Sequence, residues 1–237
     1  MNFATLHDSL AADGTKPLLF GSERKNLKYY PVFWDITGKK CVVIGGGEVA
    51  ARKVARLLDC GAKVHVVSPL LVPELADLKK RGRIGHIAGE YADEHLSGAA
   101  LVIGATDDEE INASISRDAK ARGIPVNIVD DPQKCDFILP SLVERGDLTI
   151  ACGTGGNSPA LARRLREELE AAYGEEYAAL LDILAQLRGR MEKNAGRGRV
   201  WFDQLMAAGL LTSLRQKDAG TAKKIVREIT GEEVRID

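Results

Sequence analysis

The chain has 237 residues, room for one large domain or two modest ones. With 45% hydrophobic and 28% charged residues, its composition is that of a globular protein and excludes a disordered or fibrous class. Its 33 basic and 34 acidic side chains leave no net field to attract nucleic acid or a membrane surface, and no apolar run approaches the roughly 18 residues of a membrane span.

The N-terminus lacks a continuous apolar signal core, so a cytoplasmic location is expected. Residues 1–28 mix small, polar and charged types, interrupted by Gly14, Pro17 and Gly21, and are expected to form a loosely held extension. The aromatic, β-prone cluster Tyr29 to Trp34 then marks the start of the folded domain.

A short apolar run, Cys41 to Ile44, stops at Gly45, Gly46 and Gly47 and passes at once into a helix-compatible segment, Val49 to Asp59. Gly45, Gly47 and Ala50 fit the G-x-G-x-x-G/A spacing of a dinucleotide-binding turn. The first glycine permits the sharp turn, the second lets the backbone approach a pyrophosphate, and the small third residue packs the helix on the strand. The free N–H groups of the new helix would face the phosphates.

Alternation continues with a strand at Lys63 to Val67, a helix at Pro73 to Arg81, and a short strand at Arg83 to Ile87. A buried strand follows at Leu101 to Ala105, then a helix at Glu109 to Arg122 and another buried strand at Val126 to Val129. Strands alternating with helices predict an α/β fold, a Rossmann-like, doubly wound parallel sheet. Two more strands are expected at Phe137 to Leu142 and Leu148 to Cys152, with Glu144 to Asp147 as the turn between them.

The loop Gly153 to Pro159 then offers Asn157 or Ser158 as a helix cap, with Pro159 in the first turn. Leu161, Leu165 and Leu169 fall on one helical face. Amphipathic segments around Tyr177 to Leu187 and Trp201 to Met206, and a last helix near Thr221 to Ile229, make the C-terminal third helical. Its apolar stripes suit an oligomer.

Ligands of open α/β sheets bind beyond the carboxyl ends of the strands, where the strand order reverses. That places Gly45 to Gly47, Thr106 to Asp108, and Asp130 with Asp131 at the site. Asp130 directly follows an apolar strand, at the rim of the cofactor crevice. Its carboxylate there either accepts a proton as hydride leaves for a nicotinamide or only caps the turn into Pro132.

Asp107 and Asp108 read as caps of the helix that follows. The acid expected after the second strand to hold the ribose of NAD is missing. Ser68, Pro69 and Leu70 stand there, and spacing leaves NAD and NADP open. The absence of an arginine from Val67 to Val72 favours NAD.

The second glycine-rich loop, Gly153 to Ser158, serves either as an anion site or as a plain turn and cap. Arg163, Arg164 and Arg166 in the next helix read as a solvated face or as substrate clamps. The cysteines Cys41, Cys60, Cys135 and Cys152 show no C-x-x-C spacing, so neither zinc nor a disulfide framework is indicated. Cys41 and Cys152, inside β-like runs, are expected to be buried thiols. The four histidines form no metal-ligand pattern.

Tyr30-Pro-Val-Phe33, Val43 to Lys53, Ala105-Thr-Asp-Asp108, Asn127-Ile-Val-Asp130, Phe137-Ile-Leu-Pro-Ser141 and Gly155-Gly-Asn-Ser-Pro159 carry a resemblance. In this order they resemble the precorrin-2 dehydrogenase family, which includes sirohydrochlorin ferrochelatases and the front half of multifunctional sirohaem synthases. The resemblance covers about residues 29 to 190. It implies NAD-dependent oxidation of precorrin-2 to sirohydrochlorin by an intertwined homodimer, with iron insertion as an alternative second activity.

It further implies a Rossmann NAD-binding domain over 29–139, a small α+β dimerisation region over 140–172 and a helical domain over 173–237; the extension over 1–28 is not part of the usual pattern. On the matching positions Glu48, Val49, Pro69 and Leu70 line the NAD site, beside Gly45, Gly46, Gly47, Ser68 and Thr106. Asp130 is the functional carboxylate. Thr154, Gly155, Asn157, Ser158 and Arg163 are the expected substrate contacts, since arginine grips carboxylates with paired hydrogen bonds.

Thr154 departs from the serine common in some members, and the match weakens beyond Met191. The rival reading is a nucleotide-binding regulatory module without chemistry.

Overall fold

Five short strands, β1 (Lys40–Ile44), β2 (Lys63–Ser68), β3 (Gly85–Ala88), β4 (Leu101–Gly104) and β5 (Val126–Ile128), form one parallel sheet in the order β3-β2-β1-β4-β5. The near-continuous apolar runs of β1 and β4 follow from burial on both faces, while β3, at the edge, is only partly buried. Because side chains alternate across a strand, Cys41 and Val43 pack on one side with Ala50, Val54 and Leu57 of α1 (Glu48–Asp59) and Leu75 of α2 (Pro73–Lys80). Val42 and Ile44 pack on the other with Leu96, at the end of a 3-10 turn, and with Ile115 and Ala119 of α3 (Glu109–Ala121). Each fully buried Leu, Ile or Val contributes about 1.5–3 kcal/mol, so β1, completely covered on both faces, is the axis of the fold.

The computed structural model describes residues 28–191 and 197–236. Phe33–Asp237 forms one compact unit. The expectation for residues 1–28 lies, apart from Lys28, outside the described residues. Tyr30 and Val32 are exposed.

Beyond the sheet, β6 (Ser141–Arg145) and β7 (Leu148–Cys152) make a separate antiparallel ribbon, followed by α4 (Pro159–Ala172). The strand expected from Phe137 begins only at Ser141 and takes in Glu144 and Arg145, which had been expected in the turn. Two causes are visible. The Asp136 amide donates to the Val126 carbonyl (2.8 Å) and the Phe137 carbonyl accepts from Asn127 Nδ2 (2.9 Å), so this stretch is tied to β5. Pro140, next along, has no N–H to give a ladder. The turn shrinks to Gly146-Asp147, with Gly146 at φ 55, as two-residue hairpins with glycine first require.

Four helices close the chain: α5 (Glu176–Met191), α6 (Arg197–Ala207), α7 (Leu210–Arg215) and α8 (Ala219–Thr230). Leu180, Ile183, Leu187, Leu205, Leu210, Leu214 and Val226 form their common core. The six-residue α7 was not anticipated, being too short to show a period. It starts after Gly209 in a left-handed conformation and buries Leu210 and Leu214, one turn apart. Among the described residues no helix is long and apolar enough to cross a membrane.

Candidate functional site

The strand order reverses between β1 and β4, and the glycine turn sits at that point. Its three glycines have separate reasons. Gly45 turns at φ 123, and a Cβ on it would lie 2.2 Å from the Ala105 carbonyl oxygen beyond β4. A Cβ on Gly46 would lie 1.9 Å from the Leu70 carbonyl oxygen beyond β2. Gly47 meets nothing within 4 Å. The first two glycines are therefore required by the protein's own packing, while the third borders open space that a ligand can fill.

Gly47 is also the N-cap of α1, with no side chain to satisfy the first-turn N–H groups. Ala50, fully buried, seats the helix against the sheet. An uncapped helix start beside an open glycine suits a pyrophosphate, so these residues fit a dinucleotide.

The crevice encloses about 690 Å³ and is lined by residues 44–49, 67–72, 89–91, 105–107 and 111. Gly45, Gly46, Gly47, Glu48, Val49, Ser68, Pro69, Leu70 and Thr106 are all brought together there. Several polar groups are already engaged. Ser68 Oγ donates to the Leu70 carbonyl (2.7 Å). Thr106 Oγ1 accepts from the Asp108 amide (3.1 Å), and the Thr106 carbonyl accepts from Asn112 Nδ2 (2.9 Å). Asp108 caps α3 through the amides of Glu110 and Ile111.

Asp130 lies in a neighbouring hollow, not in the glycine-loop crevice. The reason is topological: β5 is the outermost strand, so its end stands one strand beyond the switch point. Residues 127–132, 138–141 and 152–154 line this hollow with Lys53, Cys135, Gly156, Pro159 and Ala162. The two chambers share α1 as a wall, with Val49 facing the crevice and Lys53, one turn later, facing the hollow.

Asp130 has φ 61, a left-handed conformation uncommon outside glycine and tolerated best by short polar residues. Turn closure falls to its neighbour. Asp131 accepts from the Gln133 amide (3.1 Å) and pairs with Lys134 Nζ (2.6 Å), whose bond holds the Asp131 carboxyl below its ordinary range. The Asp130 carboxylate makes no hydrogen bond among the described residues and is left available. Cys135 Sγ lies 3.1 Å from the Ile128 amide and 3.1 Å from the Asp131 carbonyl, clamping the turn on both sides of Asp130. Burial pushes the Cys135 thiol up.

Lys53 is the site residue that sequence reasoning missed. Burial, then the neighbouring Arg52, lowers its pKa, and the charge of Asp130 opposes that shift. Its signal was the i,i+4 spacing from Val49 on the same helix face.

Of the expected substrate contacts, Thr154 lines the hollow; Gly155, Asn157, Ser158 and Arg163 do not, though Gly156 does. The loop is closed on itself. Thr154 Oγ1 accepts from the Ser158 amide (3.2 Å), Asn157 Nδ2 donates to the Thr154 carbonyl (3.0 Å), and Ser158 Oγ caps α4 through the Leu161 amide (3.2 Å). Arg163 is exposed and pairs with Glu167 (3.0 Å), one turn along α4.

Cys152, expected to be buried, is only half-buried and lines the same hollow, because β7 belongs to a two-stranded ribbon and not to the covered sheet. Cys41 is buried, which pushes its thiol up to about 11.

Residues 32–141 match the family described as putative NAD(P)-binding, and residues 145–172 match the family described as sirohaem biosynthesis protein central. The siroheme synthase of Methylobacillus flagellatus is 45% identical over 71% of this chain and 36% of its own length. Siroheme synthase 1 of Aeromonas salmonicida is 39% identical over 87% of this chain and 45% of its own length. The chain thus spans less than half the length of these relatives. The solved structure of SirC, precorrin-2 dehydrogenase, superposes with a TM-score of 0.67 over 86% of this chain and all of that one, at 24% identity, and shares the fold.

Proposed function

We propose that this relative of the siroheme synthases oxidises precorrin-2 to sirohydrochlorin with NAD. The observation that carries the reading is Asp130: an unpartnered carboxylate on a left-handed turn, in a hollow beside a crevice built for a dinucleotide. Non-glycine residues held in the left-handed region recur at functional sites.

Bound NAD supplies the acceptor for the hydride. The overall reaction removes a hydride and a proton from the macrocycle, yielding sirohydrochlorin, NADH and H⁺. Asp130 takes the proton, and the Cys135 clamp holds its backbone for the transfer. Lys53, a half-buried cation lining the same hollow, offers a counter-charge to the carboxylates of the substrate.

A homodimer completes the assembly. Its support is the exposure of Leu161 and Leu165 on α4, beside a ribbon of two strands. The enzyme works in the cytoplasm, without nucleic acid or membrane.

The deciding experiment is an anaerobic absorbance assay with chelator present, following sirohydrochlorin from precorrin-2 generated in situ. NAD-dependent product is expected. NAD binding without product would replace the dehydrogenase with a regulatory module.

A second activity, insertion of ferrous iron into sirohydrochlorin, is favoured by the position of Asp130 outside the cofactor crevice, where it can remove pyrrole protons whether or not NAD is bound. Metal uptake by supplied sirohydrochlorin in the absence of NAD tests it.

A further inference from the structure

The crevice has the parts of a dinucleotide site except one, the acid at the end of β2 that binds the adenosine ribose. Ser68 is 4% exposed and its hydroxyl is spent on Leu70; Pro69 and Leu70 offer no polar side chain. The neighbouring strand supplies a carboxylate instead.

β3 pairs with β2 so that Ala88 stands opposite Ser68. The exits of the two strands are tied together: the Gly89 amide donates to the Ser68 carbonyl (3.3 Å), and His86 Nε2 lies 3.0 Å from the same oxygen. Glu90 comes next in the chain. It lines the crevice, is exposed, and makes no hydrogen bond or ion pair among the described residues.

Three acids line the crevice: Glu48, Glu90 and Asp107. Glu48 belongs to the first turn of α1, the pyrophosphate end. Asp107 follows β4, across the switch point, on the nicotinamide side. Glu90 alone stands on the β2–β3 side, where the fingerprint puts the adenosine half.

We propose that Glu90 accepts the hydrogen bonds of the adenosine ribose hydroxyls and sets the preference for NAD over NADP, whose 2′-phosphate its charge repels. The inference rests on the dinucleotide reading of the crevice. Lys79, a cation of α2, is directed to His86 Nδ1 at 3.1 Å and forms no ion pair with Glu90.

The test is calorimetric titration of NAD and of NADP into the whole wild-type chain and into Glu90→Gln, with far-UV circular dichroism as the folding control. In Glu90→Gln, NAD binding weakens about tenfold, the loss of a charge-assisted hydrogen bond, while NADP binding holds or improves. A drop of less than about threefold in the NAD-to-NADP affinity ratio, or a wild-type preference for NADP, overturns the role of Glu90. Failure of wild type to bind either dinucleotide overturns the crevice reading itself, and is distinguished by that result from an unchanged ratio.

Discussion

Asp130 shows why the choice of substitution matters at a single position. At φ 61 an alanine would add backbone strain of about 1–3 kcal/mol to the loss of the carboxylate, whereas asparagine tolerates the same conformation. Asp130→Asn should therefore keep its melting temperature and its NAD affinity while turnover falls by about 10²-fold or more, the usual weight of a proton acceptor. Steady-state turnover beside NAD titration checks this, and wild-type-like turnover removes Asp130 from the chemistry.

Lys53 gives a prediction of the opposite kind. Its pKa is lowered in the folded state, so between that value and the ordinary 10.5 the unfolded chain binds more protons and stability rises with pH; below that window the cost of a buried cation is fully present. Lys53→Met should therefore raise the melting temperature at pH 7, with the advantage fading as pH passes 10.5, and should weaken tetrapyrrole binding. Thermal scans across pH, paired with substrate titration, read both effects.

The place of Asp130 directly after an apolar strand was legible in sequence, but not that its hollow lies one strand beyond the cofactor crevice. Lys53 was not legible, since its face of α1 matters only once β5 and the ribbon are set around it. Arg163 lies outside the lining of the hollow and pairs with Glu167, a partner open to reading from the i,i+4 spacing.

At the scale of elements, the glycine turn separates packing from binding. Gly46→Ala forces a methyl group onto the Leu70 carbonyl and should cost about 1–3 kcal/mol of stability, read from denaturant unfolding. Gly47→Ala meets no protein atom, so its stability should stay within about 0.5 kcal/mol of wild type while NAD affinity falls. Equal losses of stability in the two variants would contradict these separate roles.

The parallel strands were read from the sequence within a residue or two, because burial on both faces leaves them as uninterrupted apolar runs bounded by polar turns. The ribbon was read less well. The pattern from Phe137 to Leu142 is apolar enough for a strand, and only the long-range bonds to Val126 and Asn127 divert its first half. Those bonds join residues ten apart and leave no local trace.

For the whole molecule, the proposed interaction is with a second copy. The two-stranded ribbon packs on α4, and α4 still exposes Leu161 and Leu165 at 48% and 39%. The double variant Leu161→Glu, Leu165→Glu should move the protein from dimer to monomer in sedimentation equilibrium; a monomeric wild type would remove the dimer from the proposal. The helical C-terminal core was legible as a class from the spacing of its leucines, although α7 was hidden by its length.

The shared wall of the two chambers has a practical outcome for inhibitor chemistry. Val49 and Lys53 are separated by one helical turn, about 6 Å of rise, and address opposite rooms. A hybrid of a nucleotide and a macrocycle would have to follow α1 across that turn. A hinged linker that bends round the first turn of the helix, or two separate small molecules dosed together, would reach both.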